Sequence, residues 1–282
     1  MKVGEIQAKT VLIRSKLPGA DYVVNPYTGC ELSCQYCYAS FTSRFVGEPV
    51  NNWGRYVYAK VNAVVLFRAE LARIRRAGRA PAILLSSVTD AYQGVEKKYR
   101  LTRGILGVVA EEPYPGVVSV LTKSPLVLRD VDILRRIPRA EVGLTITTTD
   151  DRLSRFLEVR APLASRRLRT LTELHEAGLS TYAFVGPLLP HLWYHREALE
   201  SLFARVADAG VGSVFIEHIN IRPYIKQRLW QILKSEPPAI QQVYERAATE
   251  EHRHALDAMI TQLLEKYGLN LRLNQVLYHN PQ

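Results

Sequence analysis

Cysteine is scarce in this sequence, with three residues among 282. Three cysteines are too few for a disulfide-stapled secreted scaffold, and their odd number leaves one unpaired in any pairing scheme. Long apolar runs are also missing: no stretch approaches the roughly 18 consecutive apolar residues of a membrane span, and the first twenty residues hold no signal-like apolar segment. The sequence therefore predicts a cytoplasmic protein of a reducing compartment with no membrane association.

Low-complexity tracts and linkers are absent as well, and 47% hydrophobic with 23% charged residues is ordinary globular composition. Acidic residues are outnumbered by 37 to 27, so the formal net charge is +10. Residues 1–141 carry 21 basic and 12 acidic side chains, a net +9, and such a basic half suits a polyanion. The alternative is an arginine-rich composition spread over solvated helix faces, as at Arg73, Arg75, Arg76 and Arg79.

Short β-branched runs alternate with amphipathic stretches from residue 21 onward. The runs predict six strands, at 21–25, 82–87, 117–123, 142–147, 181–185 and 213–219. The amphipathic stretches predict helices at 61–77, 101–111, 131–137, 165–177 and 195–209. Strands that alternate with helices of this length pair in parallel, because a parallel neighbour needs a crossover connection. We therefore expect an α/β fold with one parallel sheet, open or barrel-like.

Three segments are predicted along the chain. Residues 1–20 form a mixed, polar N-terminal arm, and residues 21–222 carry the six βα units without interruption. Residues 223–282 form a C-terminal helical cap, in which two prolines break a helical region at 226–266 before a short strand, LNLRLNQVL. Since α/β folds bind ligands beyond the carboxyl ends of their strands, the residues just after each strand are the candidates for chemistry.

All three cysteines fall in one eight-residue window after the first predicted strand, as Cys30, Cys34 and Cys37 with the spacing C-x3-C-x2-C. Three thiolates on one loop can bind three irons of a cubane cluster, and no fourth cysteine exists for the fourth iron. A structural zinc site needs four ligands, and the first histidine is His175. One iron is therefore open to a ligand that is not protein. The alternative is three buried core cysteines.

The window NPYTGC, followed by C-Q-Y-C-Y-A with Tyr36 before the last cysteine, resembles radical S-adenosylmethionine (SAM) enzymes of the spore photoproduct lyase-like branch. The resemblance covers roughly residues 22–190. It implies a partial (β/α)6 TIM-type barrel of parallel strands with a helical C-terminal extension, a [4Fe-4S] cluster and SAM bound at the open iron. It also implies an electron donor such as flavodoxin or ferredoxin and a 5'-deoxyadenosyl radical that abstracts hydrogen from a substrate.

The resemblance assigns roles to further residues, with Tyr38 as a catalytic residue of a radical relay and Tyr36 near adenine. The other cofactor-binding candidates are Ser86, Ser87, Thr89, Asp90, Lys123, Thr145, Thr147 and Arg167. Each has a plainer alternative: Thr89 and Asp90 could cap the next helix, and Lys123 could be a surface charge. Arg167 could simply pair with Glu158.

The sequence departs from spore photoproduct lyase at one position. That enzyme uses an extra cysteine to return a hydrogen atom to its lesion, and Ser87 stands there in this chain, which argues against lesion reversal. Two classes of function follow. The first is a radical SAM enzyme with a nucleic acid or nucleotide substrate, and the second is a non-catalytic iron-sulfur or zinc protein that binds RNA or a protein partner.

Overall fold

The computed structural model describes residues 1–247 and 249–278. Its strands are β1 (Lys2–Ile6), β2 (Leu12–Arg14), β3 (Tyr22–Val24), β4 (Tyr27–Thr28), β5 (Tyr56–Lys60), β6 (Ile83–Leu85), β7 (Val118–Thr122), β8 (Ala140–Thr145), β9 (Ser180–Leu188), β10 (Ser213–His218) and β11 (Asn270–Leu271). Its α-helices are α1 (Ala63–Arg76), α2 (Glu96–Tyr99), α3 (Leu101–Ala110), α4 (Val131–Leu134), α5 (Asp151–Leu157), α6 (Ala164–Glu176), α7 (Pro190–Tyr194), α8 (Arg196–Asp208), α9 (Pro223–Leu233), α10 (Pro238–Arg246) and α11 (Glu250–Tyr267).

The first of two compact units comprises Met1–Ser33, Ala39–Gly143 and Glu173–Ser180. Its main sheet has the order β8-β7-β6-β3-β2, in which β3, β6 and β7 are parallel neighbours and β2 is antiparallel to β3. A smaller sheet, β1-β5-β4, lies in the same unit.

Helix α1 shows why these segments fold as they do. Its buried residues, Ala63, Phe67, Leu71 and Ile74, recur at helical spacing and form one apolar face. Three arginines in the last turn of α1 lie where the negative end of the helix dipole favours cations. The short strands β6 and β7 bury Ile83, Leu85, Val118 and Val120 beneath such helices.

The second unit comprises Cys34–Tyr38, Leu144–Thr172 and the chain from Thr181 onward. Its strand order is β11-β10-β9-β8, with β10 parallel to both β9 and β11, and the boundary between the units falls inside β8. Proline begins α9 and α10, and the Thr249 hydroxyl caps α11, which ends at Gly268 in the left-handed conformation.

The six predicted strands are confirmed as β3 and β6 to β10, and the five predicted helices as α1, α3, α4, α6 and α8. The helical region after residue 222 is confirmed as α9 to α11, interrupted before Pro238. The predicted arm contains β1 and β2, and α2, α5 and α7 are additional helices. The last four residues of the predicted cap, and residue 248 within it, lie outside the described residues. The three-segment division remains a prediction.

No helix in the described part of the chain combines the length and the apolar composition needed to cross a membrane.

Candidate functional site

The cysteine loop, residues 29–37, follows β4 and has no regular secondary structure. Cys30 and Cys34 are buried and Cys37 is half-buried, and none of the three forms a disulfide. Cys30 belongs to the first unit, whereas Cys34 and Cys37 belong to the second. Gly29 has a φ of 88°, and a Cβ at this position would lie 2.5 Å from the carbonyl oxygen of Tyr56. The residue before Cys30 must therefore be glycine.

In the first unit, the segment after β6 holds the backbone of the cysteine loop. The Thr89 hydroxyl donates to the carbonyl of Gly29 at 2.6 Å, and Gln93 Nε2 donates to the Thr89 oxygen at 2.9 Å. Gln93 Oε1 accepts the backbone N–H of Glu31, also at 2.9 Å. The alternative of helix capping by Thr89 is thus replaced by a specific contact with the residue before Cys30.

The carboxyl end of β6 carries the serine pair. Ser86 has a φ of 77°, and its buried hydroxyl has no hydrogen-bond partner in the described part of the chain. Ser87 is tied to the NPYTGC motif, because its Oγ accepts from Asn25 Nδ2 at 3.1 Å and Asn25 Oδ1 accepts its backbone N–H at 2.9 Å. A non-glycine residue with positive φ and an orphaned hydroxyl is the kind of strain found at ligand sites.

Asp90 joins the end of β6 to the end of β7. Its buried carboxylate accepts the Thr122 hydroxyl at 2.6 Å and the backbone N–H groups of Tyr92 and Lys123, each at 2.8 Å. These contacts fix the backbone of Lys123, a half-buried residue. Buried Asp90 therefore fixes the backbone position of Lys123, the residue predicted to bind the carboxylate of SAM.

In the second unit, the Glu158 carboxylate receives four donors. Tyr36 donates through its hydroxyl, and Arg167 donates through Nη2. Thr147 Oγ1 and Ser154 Oγ donate at 3.2 and 3.1 Å. Burial raises the pKa of Tyr36 well above its ordinary value, and repulsion from the Glu158 charge raises this pKa further.

Arg167 is completely buried at the start of α6. Besides Glu158, its guanidinium donates to Ser154 Oγ at 2.7 Å, to the carbonyl of Thr145 at 2.9 Å and to the carbonyl of Pro162 at 2.8 Å. Burial lowers the pKa of Arg167, but attraction to Glu158 more than compensates, so that the pKa is raised. Arg167 does pair with Glu158, and the pair connects Tyr36 to the end of β8.

Arg228 of α9 also contacts the cysteine loop, and Tyr224 of the same helix contacts the residue that follows the loop; neither was predicted. Arg228 Nε donates to the carbonyl of Gln35 at 2.8 Å, and Nη2 donates to the carbonyl of Cys37 at 3.0 Å. The Tyr224 hydroxyl donates to the carbonyl of Tyr38 at 3.1 Å. A single arginine in an amphipathic helix is ordinarily interpreted as part of the solvent-exposed face. No local sequence signal therefore indicated that Arg228 contacts the cysteine loop.

Tyr38 begins the 3-10 helix Tyr38–Val46. Burial raises the pKa of Tyr38, and the nearby charges of Glu217 and Cys37 raise it further. Its phenol is consequently neutral throughout the physiological range of pH.

The residues present fit an iron-sulfur cluster. No three His, Cys, Asp or Glu side chains among the described residues converge on a point where one metal ion could bind. A cubane does not need such convergence, because each iron takes its own thiolate. Three cysteines on one loop, none of them in a disulfide, and no fourth cysteine in the sequence match a cluster with one open iron. Two buried donors, Ser86 Oγ and Arg228 Nη1, lack acceptors in the described chain and could serve bound cofactors.

The sequence profile of the radical SAM superfamily matches residues 24–202. The chain therefore belongs to the radical SAM superfamily, whose members use a [4Fe-4S] cluster together with SAM.

The chain is similar in sequence to two relatives, and in fold to one solved structure, among others. An uncharacterised protein of Methanocaldococcus jannaschii is 36% identical over 192 residues, covering 68% of this chain and 70% of the relative. A radical SAM Nalpha-GlyT isomerase of Pseudomonas phage M6 is 24% identical over 205 residues, covering 70% of this chain and 39% of the isomerase. Spore photoproduct lyase complexed with dinucleoside spore photoproduct has a TM-score of 0.76 at 16% identity, over 98% of this chain and 82% of the lyase. This likeness confirms the predicted fold, a partial TIM-type barrel with a helical C-terminal part.

The predicted site residues thus fall into two groups. Cys30 and the residues at the ends of β6 and β7 lie in the first unit, with Thr89, Asp90 and Ser87 engaged in bonds that hold loops. Cys34, Cys37, Tyr38 and the network around Glu158 lie in the second unit. The cofactor contacts assigned to these residues remain predictions.

Proposed function

We propose that the protein is an enzyme that cleaves SAM reductively and uses the resulting radical to take a hydrogen atom from a nucleic acid or nucleotide. The observation that carries this proposal is the cysteine loop of a radical SAM superfamily member, with three cysteines outside any disulfide and no fourth in the sequence. The bonds from Thr89 and Arg228 to the carbonyls of Gly29 and Cys37 support it, since they fix the backbone of the loop that carries the ligands.

When bound, the reduced cluster supplies one electron that splits SAM into methionine and a 5'-deoxyadenosyl radical, which becomes 5'-deoxyadenosine by taking a hydrogen atom from the substrate. The electron comes from a donor such as flavodoxin or ferredoxin. Within the chain, Ser86 offers an unpaired hydroxyl at the end of β6, and Lys123 offers a cation at the end of β7 for the SAM carboxylate. Tyr36 and the Glu158–Arg167 pair hold the second half of the loop.

A groove in the first unit supports a nucleic acid as substrate. It has a volume of about 760 Å³ and is lined by Arg14, Lys16 and Arg79 among others. Its carboxylate, Asp21, already accepts the backbone N–H of Ala82 at 2.7 Å. The groove adjoins the amino ends of β3 and β6, opposite the edge that carries Ser86. It would therefore hold the phosphates of a flanking segment rather than the reacting nucleotide.

Anaerobic reconstitution with iron and sulfide tests the chemistry. We expect about four irons per chain and, with SAM and dithionite, release of 5'-deoxyadenosine. Cys37→Ala should lose both signals, whereas Ser119→Ala, a substitution of a half-buried serine in the middle of β7, should keep both. A complete cluster without 5'-deoxyadenosine, or stoichiometric zinc in place of iron, would refute the proposal and favour a non-catalytic metal protein.

Fluorescence anisotropy with single-stranded DNA, duplex DNA and tRNA tests the substrate class. Binding should weaken with salt at a logarithmic slope of about −0.9 per contacted phosphate on duplex DNA. Arg14→Glu combined with Arg79→Glu should weaken it, and Arg205→Glu combined with Lys234→Glu, at two exposed positions outside the groove, is the control for the same change in net charge. Absence of binding by all three nucleic acids would point instead to a small molecule or a peptide.

A further inference from the structure

Arg228 has one buried side-chain nitrogen that its contacts with the cysteine loop do not use. Two of its three side-chain nitrogens hold the carbonyls of Gln35 and Cys37, on either side of Tyr36. The third, Nη1, is buried and has no acceptor among the described residues. A buried N–H group without an acceptor is unfavourable, so this nitrogen points to a group that the protein binds.

The charge of Arg228 is also uncompensated by a carboxylate. None of the ion pairs in the described chain includes this guanidinium, although burial disfavours its charged form and lowers its pKa. An arginine remains protonated at neutral pH in spite of such a shift. The acidic groups that the fold brings near its guanidinium are the thiols of Cys37 and Cys34 and the phenol of Tyr224. The two cysteines are thiolates when they bind iron, and they then attract the guanidinium. In a half-buried position, solvent screens these attractions only weakly.

We propose that Arg228 is a positioning residue for the iron-sulfur cluster, with Nη1 donating to a sulfur of the cluster and the guanidinium charge raising the reduction potential. This inference rests on the proposed function for the presence of the cluster, and it does not depend on the substrate. Three thiolates give the oxidised cluster a net charge of about −1 and the reduced cluster about −2, so a nearby cation stabilises the reduced form more. Hydrogen bonds to cluster sulfurs act in the same direction.

The test is a redox titration of the reconstituted protein, without SAM, followed by the EPR signal of the reduced cluster. Arg228→Met should lower the midpoint potential by at least about 59 mV, which is a tenfold change in the reduction equilibrium of a one-electron couple. Arg228→Lys keeps the charge and should restore most of this difference. Lys234→Met removes an exposed charge just after the same helix and should leave the midpoint unchanged.

A second measurement covers the case in which Arg228→Met does not retain a cluster. Wild-type protein containing ¹⁵N-guanidino arginine should show a nitrogen coupling to the reduced cluster in pulsed EPR, and Arg228→Lys should lose it. An unchanged midpoint in a fully loaded Arg228→Met protein, or the absence of the coupling in wild type, overturns the proposal. A normal EPR signal without 5'-deoxyadenosine release would refute the proposed catalysis alone, because neither readout for Arg228 requires SAM.

Discussion

Substitution of Glu158 by glutamine should destabilise the second unit more than any comparable surface change. The Glu158 and Arg167 side chains have no exposed surface. Glutamine keeps one acceptor oxygen for Tyr36 and Thr147, but its NH₂ group cannot accept from Ser154 or Arg167. The substitution therefore leaves the guanidinium of Arg167 buried without a counter-charge.

The loss of one partner of a buried ion pair costs about 3–5 kcal/mol. At about 2–4 °C per kcal/mol for a chain of this size class, the melting temperature should fall by about 6–20 °C. Thermal unfolding of the metal-free protein under anaerobic conditions, followed by circular dichroism, measures this change without interference from cluster loss.

Two variants make the comparison decisive. Glu111→Gln breaks the exposed pair between Arg68 and Glu111, and it should change the melting temperature little because solvent screens that pair. The double variant Glu158→Leu with Arg167→Met removes both charges and should recover part of the lost stability. The reasoning fails if Glu158→Gln melts with wild type, or if the double variant is less stable than Glu158→Gln.

Three further outcomes are expected. Lys123→Met should weaken SAM binding in a spectroscopic titration, because it removes the cation proposed to bind the SAM carboxylate. The cluster spectrum should stay intact, since the substitution keeps the backbone N–H of Lys123 that donates to Asp90; unchanged affinity would make this lysine a surface charge. Thr89→Val should lose the bond to the Gly29 carbonyl, a change of about 0.5–1.5 kcal/mol, and speed cluster loss to a chelator, with Thr89→Ser as the rescue. Burial is the leading cause that raises the pKa of six tyrosines, so absorbance at 295 nm should show these six still protonated at about pH 11 in the folded protein. The free energy of unfolding should fall as pH rises above about 10, because the tyrosines of the unfolded chain lose their protons first. These are Tyr27, Tyr36, Tyr38, Tyr92, Tyr114 and Tyr244; ionisation of all 15 tyrosines with ordinary pKa values before unfolding would contradict the burial argument.

Much of the fold could be predicted because each strand of a parallel sheet is a short apolar run between amphipathic helices. The predicted strand at 213–219 matches β10, and the predicted helix at 165–177 matches α6 within a residue or so. Helix α5 was missed because seven residues contain too little periodicity to recognise. A signal did exist, since Asp150 accepts the N–H groups of Arg152 and Leu153 as an N-cap. Strands β1 and β5 pair with each other across more than fifty residues, which no local pattern reports.

The same holds for the candidate site: its cysteines can be predicted from the local sequence, and the residues that hold the cysteine loop cannot. The cysteine spacing is a local pattern, and three thiols within eight residues predict a metal site without any information from distant parts of the sequence. The supports of the loop come from positions far away in sequence, such as Thr89 and Arg228. They act on backbone carbonyls, which any residue presents, so the loop sequence carries no trace of them.

Substitutions of the cysteines and substitutions of the residues that hold the cysteine loop should affect the cluster in different ways. An irregular loop leaves some of its carbonyls without partners from its own backbone, and side chains must satisfy these where water is excluded. Thr89 serves the carbonyl before Cys30, and Arg228 serves the carbonyls of Gln35 and Cys37. Loss of a cysteine removes an iron ligand outright, whereas loss of a support leaves all three ligands present but less well positioned. Variants of the supports should therefore alter cluster lifetime and potential by degrees, and variants of the cysteines should abolish the cluster.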